Sequence, residues 1–268
     1  MPATVLVRGA GDLASGVALR LHRAGLNIVM TELAQPLAVR RMVSFAEAVY
    51  EGQSSVEDVV GCRVTDPGDT LKILNVIAAH QIPVLIDPDC RAAAQLHPLV
   101  IIDGRMTKRP PEPFQHTAQM YIGLGPGFSA PSNCHAVIET ERGHAMGRVI
   151  LNGAARPDSR QPDGDGRRVL RAPADGIFES TAHIGQHFEA DEEIGFVHGA
   201  TVVAPFGGML RGLLRPGIPA RTGMKVGDID ARDDPSLCSL VSDKALAVGG
   251  AVLEAMLSRP GVRAKLWA

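Results

Sequence analysis

An apolar run that stops at two spaced glycines constrains this chain more than any other feature. Residues 4–8 (Thr-Val-Leu-Val-Arg) are short, apolar and β-branched, which predicts a buried strand. Gly9-Ala10-Gly11-Asp12 breaks the run. From Ala14 to Leu26 the spacing is helical, with Leu13, Val17, Leu21 and Ala24 on one face and Gly25 as a stop. Asn27 to Thr31 predicts a second strand, closed by Glu32. Strand, glycine turn, helix and strand within about 30 residues make a βαβ unit.

The alternation continues. Residues 61–65 predict a strand, and Asp66-Pro67 an N-cap and first turn for a helix reaching about Ala79. Residues 83–87, 99–103 and 120–124 are further strands, rich in Val, Ile and Leu. Strands without polar alternation fit a sheet covered on both faces, so the expected N-terminal domain (1–155) is Rossmann-like, doubly wound α/β. Residues 156–168 carry Pro, Gly, Asp and Arg but no large apolar side chain, and read as a linker.

Beyond the linker the chain repeats itself. Ala172-Pro173-x-x-Gly176 returns as Ala204-Pro205-x-x-Gly208, and the same offset relates Gly185 to Gly217 and Ile194-Gly195 to Val226-Gly227. Two units this short cannot each bury a core, but a pair can. The expected second domain (169–232) is therefore a small β domain of two quasi-repeats, a barrel-sandwich hybrid of the biotinyl and lipoyl kind. No lysine occurs between Lys108 and Lys225, so the hairpin near His198 cannot carry covalent biotin or lipoate. Residues 233–268 contain an Ala- and Leu-rich helix from Ser242 to Arg259, expected to pack back on the first domain.

Composition excludes several classes. Lys and Arg number 27 against 29 Asp and Glu, and aromatics are only 4%. Neither a basic excess nor a stacking platform for nucleic acid is present. There is no apolar run of about 18 residues and no signal-peptide pattern at the start, so the expectation is a cytoplasmic protein without a membrane span. Cys62, Cys90, Cys134 and Cys238 are dispersed and read as reduced thiols. Self-association is left open.

The chemistry-bearing residues fall in three groups. Gly9-x-Gly11-x-x-Ala14 followed by Glu32 has the spacing of a dinucleotide site. The glycines permit the turn and the approach of a pyrophosphate, a small Ala14 permits close packing, and the amides of Asp12, Leu13 and Ala14 open the helix. Glu32, at the end of the second strand, is placed for ribose hydroxyls. The same glycines would also serve packing alone in a Rossmann-like fold that binds nothing. Arg40 and Arg41 could meet an outer phosphate or form a solvated face. Gly125 and Gly127, within Gly123-Leu-Gly-Pro-Gly-Phe128, could cradle an anion or simply turn the chain. His135, Glu139 and His144 are the catalytic candidates beside that loop; they form no recognisable metal motif, and no metal site is expected.

Several stretches together resemble a known family. Val-Arg-Gly-Ala-Gly-Asp-Leu-Ala-Ser-Gly (7–16), Pro-Leu-Ala-Val-Arg-Arg (36–41), Gly-Leu-Gly-Pro-Gly-Phe (123–128) and His-Ala-Val-Ile-Glu-Thr-x-Arg-Gly-His (135–144) are similar to the YqeB-type accessory proteins of selenium-dependent molybdenum hydroxylases. The resemblance implies an accessory or maturation factor with a molybdenum hydroxylase apoenzyme as partner. The ligand does not come with the resemblance; the glycine turn and Glu32 add the expectation of a dinucleotide-like ligand, such as molybdopterin cytosine dinucleotide. An NAD(P)-dependent oxidoreductase and a non-catalytic docking adaptor are the alternatives.

Overall fold

A computed structural model describes residues 3–114, 116–159 and 164–268. The chain forms two compact units. Unit 1 takes Met1–Pro36, Ser44–Ser159 and Val241–Ala268; unit 2 takes Leu37–Val43 and Arg160–Leu240. Residues 160–163 of the expected linker lie outside the described residues.

The strands of unit 1 are β1 (Thr4–Arg8), β2 (Asn27–Glu32), β3 (Gln53–Val56), β4 (Val59–Val64), β5 (Ile82–Ile86), β6 (Val100–Asp103), β7 (Met120–Leu124), β8 (Ser129–Ala130), β9 (Ala136–Ile138), β10 (Val149–Ile150) and β11 (Gly153–Ala154). Nine of them form one sheet in the order β10-β9-β7-β6-β1-β2-β5-β4-β3, while β8 and β11 pair separately. The interior strands run parallel, and β3 and β10 are antiparallel edges. β1, β6 and β7 are almost wholly buried, as unbroken Val, Ile and Leu runs require.

The helices are α1 (Asp12–Arg23), α2 (Ala48–Glu51), α3 (Thr70–Ala78), α4 (Ala93–Leu96), α5 (Ser236–Ser239), α6 (Asp243–Leu257) and α7 (Pro260–Arg263). Asp69, not Asp66, caps α3, its Oδ1 accepting the Lys72 amide at 3.0 Å; Asp66 instead closes a turn on Gly68. Ser242 caps α6. α6 lies on α1 through small residues. A Cβ on Gly16 would stand 2.5 Å from the Ala245 methyl, and one on Gly249 would stand 3.2 Å from Val17 Cα. Ser236–Leu257 is apolar enough in composition for a membrane span. The helix breaks between Ser239 and Asp243, however, and α6 alone, at 15 residues, reaches only about 22 Å. Its Ala245, Val248, Val252, Ala255 and Met256 are buried within the protein.

Unit 2 holds β12 (Val169–Arg171), β13 (Gly176–Glu179), β14 (His187–Phe188), β15 (Glu193–Val197), β16 (Ala200–Val203), β17 (Gly208–Leu213), β18 (Pro219–Ala220) and β19 (Lys225–Asp230). They make two four-stranded sheets, β12-β19-β17-β14 and β16-β15-β13-β18. The repeat-related Gly176 and Gly208 open β13 and β17, which lie in different sheets.

The expected fold class needs correction. A doubly wound Rossmann domain carries helical crossovers between parallel strands. Here the connections from β6 to β7 and from β7 to β9 contain no helix among the described residues, and β5 is inserted between β2 and β4. The sheet is large and mixed, and α6 reaches it from the far end of the sequence. Nor is unit 2 a free-standing biotinyl-like barrel-sandwich cut from residues 169–232. It incorporates Leu37–Val43, whose Val39 carbonyl accepts the Leu213 amide at 2.8 Å, and it extends to Leu240.

Candidate functional site

In an open sheet, ligands bind outside the carboxyl ends of the strands, where connections leave in opposite directions. In unit 1 that point lies between β1, which leads to β2, and its other neighbour β6. Both apolar strands end in a charged residue followed by glycine: Arg8-Gly9 and Asp103-Gly104. Arg8 and Asp103 pair in register, and both are buried, at 3% and 1% exposure.

Asp103 is the hub. Its Oδ2 accepts from Arg8 at 3.2 Å, from Arg105 at 2.8 Å and from the Tyr121 hydroxyl at 2.8 Å; its Oδ1 accepts Arg105 Nε at 3.0 Å. Burial and the adjacent carboxylate push the Tyr121 phenol well above its ordinary value, so it stays a donor. The Arg8 guanidinium also stacks on Phe114, 4.2 Å from the ring centroid. His116 packs on the same aromatic group, 5.1 Å from Phe114 and 5.6 Å from Tyr121. Burial and the Arg8 charge lower its pKa, favouring neutral imidazole. Arg8 Nε and His116 Nδ1 are buried nitrogens with no hydrogen-bond partner among the described residues. Such atoms carry a desolvation cost that a ligand can relieve.

The glycine turn lies directly beside this cluster. Gly9 has φ +88°, and its amide donates to Thr31 O at 2.8 Å. The Arg105 backbone crosses it; a Cβ on Gly9 would stand 3.2 Å from Arg105 Cα. Gly11 is the N-cap of α1, and no side chain caps the helix there. A Cβ on Gly11 would meet nothing within 4 Å, so space is open over the helix start. Ala14 packs against Gly104, where a Cβ would come within 2.9 Å of the Ala14 methyl.

Glu32 does not point away to an open ribose site. Its Oε2 accepts the Ala10 amide at 2.8 Å and its Oε1 accepts Leu33 N at 2.7 Å. Burial raises its pKa against the pull of those two amides. Glu32 therefore fixes the glycine turn as well as flanking it. Ser15 and Ser44 both donate to the Ala10 carbonyl at 2.8 Å, completing that brace.

The remaining expected site residues have other partners. Arg40 donates to the Leu237 and Leu240 carbonyls and Arg41 to Leu213 O; both belong to unit 2. Glu139 accepts the backbone amides of Thr140, Glu141 and Arg156, so it organises a turn. His135 Nδ1 accepts the Tyr121 amide at 2.9 Å. His144 is exposed and its carbonyl receives Arg148. Gly125 and Gly127 have φ +72° and +101°, and their surfaces are covered: a Cβ on Gly127 would lie 2.2 Å from Arg109 O. This loop meets the strap that follows β6 rather than open space. Burial holds the Cys90 thiol up at about 12 and that of Cys134 at about 11, too high for a resting thiolate nucleophile. Among the described residues no three His, Cys, Asp or Glu side chains stand together as metal ligands.

Sequence reasoning missed Asp103, Arg105, Phe114, His116 and Tyr121, and read Arg8 only as a strand residue. The available signal was an ionisable residue closing each of two apolar strands before a glycine.

No family model matches the chain. Over 266 residues, 97% of its length, it is 42% identical to "Uncharacterized protein YqeB" of Escherichia coli strain K12. The chain is YqeB-like. It spans about half, 49%, of that relative's length. Among solved structures it aligns with a succinylglutamate desuccinylase/aspartoacylase from Rhodobacter sphaeroides, at 10% identity, TM-score 0.27 and 85% coverage of each chain. It also aligns with an aspartoacylase family protein from Mesorhizobium loti, at 10% identity, TM-score 0.26 and the same coverage. The expected Rossmann and barrel-sandwich architecture is withdrawn on the topology described above.

Proposed function

We propose that unit 1 of this YqeB-like chain binds a phosphate-bearing, nucleotide-like ligand outside the carboxyl ends of β1 and β6. The observation that carries the reading is Arg8: a buried guanidinium with an unspent Nε, one residue before the glycine turn that opens onto the uncapped start of α1. An anion there would meet the amides of the first helical turn, the positive end of the helix dipole and a desolvated cation. Arg105 adds a second cation, 21% exposed, and Phe114 and His116 give an aromatic wall. Asp103 holds both guanidiniums in place without neutralising them fully. The hydroxylase apoenzyme implied by the sequence resemblance is not part of this reading, because no residue of the site is particular to it.

Calorimetric titration with ADP and NAD⁺, using adenosine as the phosphate-free control, tests the proposal. Wild type is expected to bind the phosphate-bearing nucleotides and not adenosine. Arg8→Met leaves Asp103 with Arg105 and Tyr121 and should weaken binding about 10- to 100-fold, as loss of a hydrogen bond to a charged group does. Equal affinity for adenosine and ADP, or no heat with any of the three, would overturn it.

A further inference from the structure

Unit 2 carries a second feature that this reading does not use. The sheet β16-β15-β13-β18 has one face exposed. Ile177, Phe196 and Val203, at 45%, 37% and 39% exposure, project from three adjacent strands. Glu179 stands opposite Phe196 in the β13–β15 register, and Glu193 opposite Val203 in the β15–β16 register. Scattered apolar residues on a surface need no explanation; three on one sheet face, interleaved with carboxylates, form a patch.

Phe196, Glu179 and Glu193 also line a cavity of about 300 Å³, together with Ile194, Pro216 and Phe188 of the neighbouring sheet. No Lys, Arg or His among the described residues lines it. Exposed Asp191 and Glu192 lie just before Glu193 in the chain and extend the negative character, while Glu189 stands 3.4 Å from His187. The volume is at the small end for ligand pockets, suited to one long side chain rather than a dinucleotide. Gly195 makes the shape possible: a Cβ there would stand 2.5 Å from the Glu179 carbonyl.

We propose that this pocket docks an arginine or lysine of a basic, apolar-flanked segment of a partner protein. The aliphatic stem packs on Phe188 and Phe196, the cationic head reaches Glu179 and Glu193, and flanking apolar residues cover Ile177 and Val203. Long cationic side chains bury their stems in this way while keeping the head at the polar rim. Charge complementarity selects the occupant, because an apolar wall alone would accept any hydrophobic chain whereas carboxylates without a cation select a positive one.

Fluorescence anisotropy with labelled Gly-Leu-Arg-Leu-Arg-Gly tests this on the full chain. The controls are the same peptide with citrulline or glutamate in place of arginine. Saturable binding is expected for the arginine peptide only, weakened at least about tenfold by Glu179→Lys with Glu193→Lys, by Phe196→Ala, and by raising salt beyond about 0.3 M. All three residues are at the surface, so unchanged circular dichroism should accompany the loss. Equal binding of the citrulline peptide, binding that survives charge reversal, or no saturation up to about 1 mM peptide would overturn the proposal.

Discussion

Replacing Asp103 by alanine is expected to cost unit 1 about 3–5 kcal/mol, because it removes the carboxylate that pairs the buried Arg8, Arg105 and the Tyr121 phenol. Arg8 is 3% exposed and has no carboxylate partner except Asp103 among the described residues. Arg105 keeps its longer contact to Glu112, at 3.3 Å. Tyr121 loses its acceptor while its ring stays buried. Urea unfolding followed through Trp267 measures the loss, since the single tryptophan belongs to unit 1 and donates to Ala24 O. Replacing Arg8 and Asp103 together by methionine and leucine should recover much of it, because removing a buried pair costs far less than breaking one. A single Asp103→Ala loss below about 1 kcal/mol would mean that the cluster is not the electrostatic hub described.

The second large effect lies in unit 2. Asp228 is 1% exposed and accepts from Arg168 at 2.8 Å, Arg211 at 2.6 Å and Lys225 at 2.6 Å. Arg211 bridges onward to Asp230, which Arg232 also holds. Asp228→Ala leaves three cations facing one another and is expected to cost about 3 kcal/mol. Burial opposes ionisation of Asp228, but Lys225, Arg211 and Arg168 outweigh it and hold the carboxyl below the usual range. Arg232, assisted by Arg211, draws Asp230 down to about 2. Both shifts have the same sign. A folded-state pKa below the unfolded one contributes stability above the ordinary aspartate value and loses it as pH falls toward about 2. Wild-type unit 2 should therefore lose stability steeply between about pH 4 and pH 2, and Asp228→Asn should flatten that limb. Hydrogen exchange on β17 and β19 reads it without interference from unit 1.

Much of this architecture is legible in the sequence because local signals act alone. β1, the turn at Gly9 and α1 follow from apolar runs and glycines within one stretch, and Ser242 marks the start of α6. The internal repeat places Gly176 and Gly208 at equivalent strand starts. What is not legible is non-local. Nothing in residues 37–43 announces that they join unit 2, because the bond from Leu213 to Val39 is made between segments far apart in the chain. The lack of helices after β6 and β7, among the described residues, likewise removes the doubly wound pattern that the strands alone suggest. Arg40 and Arg41 look like phosphate ligands in sequence, yet their planar donors serve carbonyls of α5, its C-cap and the last residue of β17. Glu32 stands where the spacing puts a ribose ligand, but its oxygens also hold the glycine turn. Arg8 and Asp103 are separated by 95 positions and become a pair only through strand register.

Amide hydrogen exchange across residues 10–14, with and without saturating ADP, locates the ligand relative to the start of α1. Slowed exchange at Asp12, Leu13 and Ala14, lost in Arg8→Met, is the predicted result. Unchanged exchange at these amides while ADP is bound would place the ligand elsewhere and contradict the account.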